Sequence, residues 1–462
     1  MKQTVYSWQS ILCLIGLLFM ALSCSHNQSP QTMKDTHEGS QSLGVLYTLR
    51  DYTIPQSAIE QDALSLMNAI APSSLRGAER RIAEVIPLQS ETSLRSTDSA
   101  DIAPLAYVVN FADNKGYAVL SSDSRLNPVW AVSTVGNLDV DKEPDNPTAK
   151  MLLQQVEVAY NINRYAVSDG INNFVDHIVD GDGKPIRPEK DFTKVEYGPW
   201  EKIPSETYEA LIPVAWGQTD APYNLYTSHL SRHAGCVTAA VAQIMAFHQY
   251  PVSYDWSLML QHRPLANPYR EYNPAFDEIA RLYRDLGKSL KVEYGDKGSS
   301  AYDQDVPNTF YAFGYTHCNK PKDYTIEQVK KELRRSKGYP IYMSATDKIT
   351  VYYKYSLWRG WQKHVEYQTG HAFVIDGITR AKRLVRTINT ITGEEMSQQY
   401  EYTTLLHANL GWNRPYLNGY YHTDIFDTRN EYGPILKAMS EASQGTDYVF
   451  RYNFKIITGI RP

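Results

Sequence analysis

Gly235-Cys236 stands directly before the Ala-rich run VTAAVAQIMAFH, and Gly370-His371 directly before the apolar run AFVIDG. A thiol at the start of a buried helix meets the positive end of the helix dipole. An imidazolium beside it would lower the Cys pKa further and supply thiolate at neutral pH. That pair is equipment for nucleophilic attack on a carbonyl, with Cys236 as nucleophile and His371 as base. The two lie 135 residues apart, inside the roughly 130–150 that separate thiol and imidazole in one class of cysteine hydrolases. A buried structural Cys and a satisfied structural His would read the same residues without chemistry.

Two further clusters could serve such a pair. In HANLGWN, the Asn409 amide oxygen could accept from the far imidazole nitrogen and fix its tautomer, with Trp412 shielding that bond from water. In WGQ, the Gln218 side-chain amide could join the Cys236 N–H in an oxyanion hole. Each has a bland reading as core or loop. No HExxH and no Cys/His cluster appears, so neither metal nor organic cofactor is expected.

A helix from Cys236 and strands after His371 must position these groups. Helical stretches are expected near 275–288 and 325–336, followed by strand-like runs from PIYMSA to GYYHTDIF. Helices first and sheet second is an α+β order. Ahead of this unit, AYVVNFADNKGYAVLSS has two apolar runs joined by Asp113-Asn114-Lys115-Gly116, a hairpin signal within a small α+β region. A helix is expected over Pro147–Val167, and the Asp180–Asp191 stretch lacks the closing Glu of a calcium loop. The boundary is placed near Trp200: residues 1–24, 25–200 and 201–462 form three parts.

The first part is an export signal. Ile11–Leu22 is too short at 1.5 Å per residue to span roughly 30 Å of hydrocarbon. Ala21-Leu22-Ser23-Cys24 is similar to a lipobox, which would acylate Cys24; a plain signal with a chance Cys is the alternative. A bacterial surface or outer-membrane lipoprotein, or a released form of it, is the expected location. A polar tether follows Cys24. The chain of 462 residues has four Cys, two of them in the signal, so disulfides are no scaffold, though Cys236 could still pair with Cys318. Net charge is −5 with no basic run, which argues against a nucleic-acid partner.

WGQTDAPYN, GCVTAAVAQIMAFHQYP, GHAFVIDG and HANLGW, in this order over most of 205–430, resemble the streptopain-type, papain-like family of bacterial cysteine proteases. The N-terminal AYVVNFADNKGYAVLSSDSRLNPV resembles that family's inhibitory prodomain. The resemblance implies a two-subdomain papain-like catalytic domain behind a prodomain, made as an inactive proenzyme. It implies protein or peptide substrates, with an apolar residue two before the scissile bond. Carried over, Cys236 is nucleophile, His371 general base and acid, Gln218 oxyanion donor, and Asn409 with Trp412 flank the imidazole. Two departures stand out: Leu410 replaces a Trp after the Asn, and Asn413-Arg414-Pro415 follow Trp412 where the family has a Gly pair; a hairpin insertion around TGEE could also reshape the cleft rim. The rival class is a surface-binding lipoprotein that kept the fold without turnover; an acyltransferase or amidase on the same dyad is a third reading.

Overall fold

Small apolar residues let one helix be buried on every side, and the structure builds its C-terminal half around such a helix. The computed structural model describes residues 44–49, 52–71, 80–88, 104–139, 193–227, 233–261, 272–295, 298–335, 338–346, 349–356, 360–367, 370–412, 417–426 and 452–462. The signal with Cys24, the tether, the helix expected over Pro147–Val167 and the Asp180 loop lie outside these residues.

The N-terminal part holds β1 (Tyr47–Leu49), α1 (Gln56–Ile70), β2 (Ile82–Leu88), β3 (Ala106–Phe111), β4 (Tyr117–Ser121), β5 (Val129–Ser133), β6 (Thr193–Tyr197) and β7 (Glu201–Lys202). The expected hairpin joins β3 to β4, with Asp113, Asn114 and Gly116 all at positive φ. Gly116 is required there, because a Cβ would collide with the Ser133 carbonyl.

The second part opens with α2 (Cys236–His248), whose residues Val237–Ala246 are all buried. Then come α3 (Trp256–Leu260) and α4 (Pro274–Ser289). Asn273 caps α4 by accepting from the Ala275 N–H, and its apolar stripe through Phe276, Ile279, Leu282 and Leu286 is buried. β8 (Glu293–Tyr294), β9 (Ser299–Ser300), α5 (Asp305–Ala312), β10 (Lys322–Asp323) and α6 (Ile326–Leu333) lead into the sheet. Its strands are β11 (Ile341–Thr346), β14 (Gly370–Asn389), β15 (Glu395–Asn409), β16 (Gly419–His422) and β17 (Tyr452–Ile457); β12 (Ile349–Ser356) and β13 (Gly360–Tyr367) form a separate hairpin. The architecture is α+β.

The two parts share one antiparallel sheet. Its order is β10-β17-β11-β14-β15-β16-β5-β4-β3-β2, so β5 of the N-terminal part adds to β16 through Tyr420↔Val132 and Tyr421↔Ala131. On the other edge of β14, whose first half pairs with β11, the second half takes up β7 and β6. The insertion around TGEE is the far end of the β14–β15 hairpin, and its role is visible here: Val385–Asn389 pair with Thr193–Tyr197. It is a landing strip for the N-terminal part.

One buried polar cluster closes that landing. Arg383 on β14 is 2% exposed, with its Nη1 3.0 Å from both Asp62 carboxylate oxygens on α1 and 2.7 Å from the Tyr47 hydroxyl. Its Nε donates to Glu401, and its guanidinium stacks on Tyr197 and Trp200. Trp200 donates its indole N–H to Asp62 at 2.7 Å. Burial raises the Asp62 carboxyl and Arg383 pulls it back down. Burial alone would lower Arg383, but Asp62, Tyr47 and Glu401 outweigh it and hold the guanidinium charged. Trp200, placed at a loose boundary by sequence, is therefore an anchor. Within the expected linker Pro204-Ser205 is exposed, whereas Lys202 is tied to Glu209 at 2.6 Å.

Candidate active site

Cys236 is the first residue of α2, and the turn into it needs Gly235, at φ +94°. His371 is the second residue of β14 and sits opposite Ala345 of β11. The Ala372 N–H, next to His371, points at the Cys236 sulfur, which places strand and helix start together. Cys236 and Cys318 are both free thiols, so the pairing left open by sequence does not form.

The imidazole is held from two directions. Its Nε2 lies 2.9 Å from the Leu410 carbonyl oxygen. A carbonyl only accepts, so Nε2 carries the proton and, in the neutral ring, Nδ1 is the basic nitrogen. Trp412 stacks on the ring at 5.7 Å and 18°, and Phe373 lies at 6.0 Å and 19°. Trp412 is thus where a shield would have to be.

Asn409 is placed differently from the expectation. Its Oδ1 accepts from Gln243 Nε2 at 3.0 Å and its Nδ2 donates to the Val214 carbonyl at 2.8 Å. With both ends of the amide engaged elsewhere, the tautomer-fixing bond comes from the backbone of the next residue. Leu410, the departure from the family pattern, is fully buried, and the contact it supplies needs no indole.

Gln218 is buried beside the helix start, its carbonyl accepting from the Ala234 N–H at 2.8 Å. The segment before it is strapped to β14: Asp376, fully buried, accepts from the Leu211 and Ile212 N–H groups and holds His407 Nδ1 at 2.6 Å.

Electrostatics here run against the sequence expectation. Burial pushes the Cys236 thiol up; the Ala372, Val237 and Cys236 N–H groups pull it down, and the nearby Asp303 charge pushes it up again. Desolvation outweighs the helix dipole, so a lowered thiol pKa is not what this form has. Burial likewise depresses His371 to about 4, against the opposing Leu410 bond. Burial thus favours the neutral form of both thiol and imidazole.

The depressed imidazoles give a prediction. His371 and His248 both sit at about 4 when folded, against about 6.5 unfolded. The stability they support is complete above pH 6.5 and is lost as pH falls towards 4, by up to about 1.4 kcal/mol per unit for each buried ring. The full-length chain should therefore melt at lower temperature through that window, with His371→Gln flattening the decline. A His371→Gln melting curve with the wild-type pH slope would contradict this.

Two groups at the site, Asp303 in GSSAYDQDVP and Asn418 in NGYY, lie in segments similar to the family but carry no role by residue type alone. Asp303 accepts from the Tyr342 hydroxyl at 2.6 Å and from Ser344, and it lies near the thiol. Asn418 Oδ1 accepts from the Leu410 N–H at 2.9 Å, while its own carbonyl receives the Ser133 hydroxyl of β5 at 3.2 Å. A short hydrogen-bonded path thus links the N-terminal part to the imidazole's partner. Among the described residues no three His, Cys, Asp or Glu gather as metal ligands would.

Comparison with known proteins bears on this arrangement. Residues 216–421 match the Peptidase C10 family, and residues 60–160 match the Spi protease inhibitor family. Streptopain of Streptococcus pyogenes is 24% identical over 308 residues, covering 59% of this chain and 67% of that protein, and the serotype M1 streptopain matches to the same extent. Among solved structures, a fragment of Prevotella intermedia prointerpain A is 21% identical, with a TM-score of 0.47 over 82% of this chain and 99% of the fragment. Active Prevotella intermedia interpain A is 24% identical, with a TM-score of 0.36 over 56% of this chain and 98% of that one. By these matches the chain is a cysteine peptidase with a protease-inhibitor-like prodomain ahead of the peptidase segment.

Proposed function

We propose that the chain is the latent form of an endopeptidase that works through a Cys236 thioester. The Cys236 sulfur attacks the scissile carbonyl carbon as its proton passes to His371 Nδ1. That proton then goes to the departing amine, and a water activated by the same nitrogen hydrolyses the thioester. The negative oxygen is met by the Gln218 side-chain amide and the Cys236 N–H. The observation that carries this reading is the commitment of Nε2 to the Leu410 carbonyl, which leaves the basic nitrogen as the other one while the neighbouring Ala372 N–H reaches the sulfur.

Gln218→Ala should lower kcat by about 10²–10³ with a smaller change in KM, the scale of losing one preorganised donor. A rise in KM alone would make Gln218 a substrate-binding residue and would overturn its role here.

Latency follows from the shared sheet. The prodomain occupies β16 and touches Asn418, which holds Leu410 and through it the imidazole. Burial at the site favours the neutral form of both members of the dyad. Cleavage at the exposed Pro204-Ser205 would release the prodomain with its Trp200 anchor.

Export and anchoring complete the proposal: acylated Cys24 would hold the proenzyme on a bacterial surface or outer membrane. Cys24→Ser should move the protein from the detergent phase to the aqueous phase or stall its processing. Unchanged partition would make Cys24 incidental.

A further inference from the structure

Gln243 lies seven residues after Cys236 on α2, two helical turns along and on the same face. It is a wholly buried polar side chain in a helix of small apolar neighbours. Its Nε2 donates to the Trp216 carbonyl at 2.6 Å and to Asn409 Oδ1 at 3.0 Å, while its Oε1 has no hydrogen-bond partner. Burying an amide so incompletely satisfied is costly, so the bonds it makes need a use.

That use is visible in the loop it grips. From Val214 to Gln218 the main chain is anchored carbonyl by carbonyl: Val214 by Asn409 Nδ2, Trp216 by Gln243, Gly217 by the Tyr283 hydroxyl at 2.9 Å, and Gln218 by the Ala234 N–H. The Gln218 side chain makes no hydrogen bond within the described residues, so its amide is uncommitted on a fixed backbone. A donor aimed at a developing charge stabilises it only if its position is set beforehand.

We propose that Gln243 is a positioning residue for the oxyanion loop, locking Gln218 to the helix that carries Cys236, with Asn409 as its bracket to β15. This rests on the catalytic reading above and adds a residue to it. It also gives Asn409 a function that does not pass through the imidazole.

The test uses full-length variants matured by an added serine protease, which is then silenced with a serine-specific reagent. Gln243→Met keeps the volume and removes the donor. It should lower kcat by about 10–10² with KM within about twofold, because the loss falls on the transition state. Alkylation of Cys236 by iodoacetamide should keep its wild-type rate, since attack on a saturated carbon forms no oxyanion; this also reports that the site is folded. In a Gln218→Ala background, Gln243→Met should cost less than about threefold more, because both act through one amide. Gln243→Glu, which can donate only when protonated, should regain turnover as pH falls, in contrast to Gln243→Met.

A full extra loss in the Gln218→Ala background, a parallel fall in alkylation rate, or identical pH profiles for Gln243→Glu and Gln243→Met would overturn the proposal. Undiminished turnover in Gln218→Ala alone would instead overturn the oxyanion reading beneath it.

Discussion

The Cys236→Ala chain is expected to fold, to keep its prodomain docked and to hydrolyse no peptide. Alanine suits the site because α2 already carries Ala239, Ala240, Ala242 and Ala246 in fully buried positions, and its start is set by the backbone of Gly235. Among the described residues the one other thiol cannot substitute. Cys318 is buried, its sulfur lies 3.7 Å from the Asn319 carbonyl, and burial pushes it up to about 12, so it supplies almost no thiolate at neutral pH. Removing a nucleophile that acts as a unit with its base costs on the order of 10⁶ in kcat, against which residual turnover is easily distinguished. A peptide-cleavage assay on matured wild-type and variant chains decides it, with Cys318→Ala expected to retain most activity.

Asp62→Ala is expected to loosen the prodomain and shorten the time the proenzyme stays latent. The change removes the carboxylate that meets both Arg383, 2% exposed, and the Trp200 indole. Breaking a buried pair costs about 3–5 kcal/mol because a charge is left without its partner. Here Arg383 keeps Glu401 and the Tyr47 hydroxyl, which places the effect near the lower end, about 3 kcal/mol. That is roughly a hundredfold in the docked-to-open ratio. Asp62→Asn, which keeps an acceptor for Trp200 but not the charge, should fall between the two. The readout is limited proteolysis at Pro204-Ser205 together with the lag before activity appears. A lag equal to wild type in Asp62→Ala would mean that this cluster does not hold the prodomain.

The parts of the molecule legible in sequence are those where local pattern decides. The Ala-rich run after Gly235 could only be a buried helix, and it spans Cys236–His248 as expected. The Asp113–Gly116 turn required positive φ, and that stretch has it. What sequence could not show were contacts made across long separations or by backbone atoms. The bond on His371 Nε2 comes from the carbonyl of Leu410, and a carbonyl carries no residue signature. Gln243 reads as a polar slip in an apolar helix until the Trp216 carbonyl is seen beside it. Arg383 and Asp62 are 321 residues apart and look like ordinary surface charges. The thiol expectation erred in sign because the helix dipole is a local feature, whereas the desolvation that outweighs it depends on everything packed around the site.

The fate of the purified full-length chain over time, followed by mass spectrometry of new N-termini alongside peptide turnover, tests the central claim most directly. The wild-type chain should begin inactive and gain activity after a lag that shortens as its concentration rises. Its new N-terminus should map at or next to Pro204-Ser205 as activity appears. The Cys236→Ala chain should stay full length alone and be cut at the same place when wild-type enzyme is added. Turnover from the uncut chain at the rate of the matured one, or self-cleavage of Cys236→Ala, would contradict a latent peptidase built on Cys236.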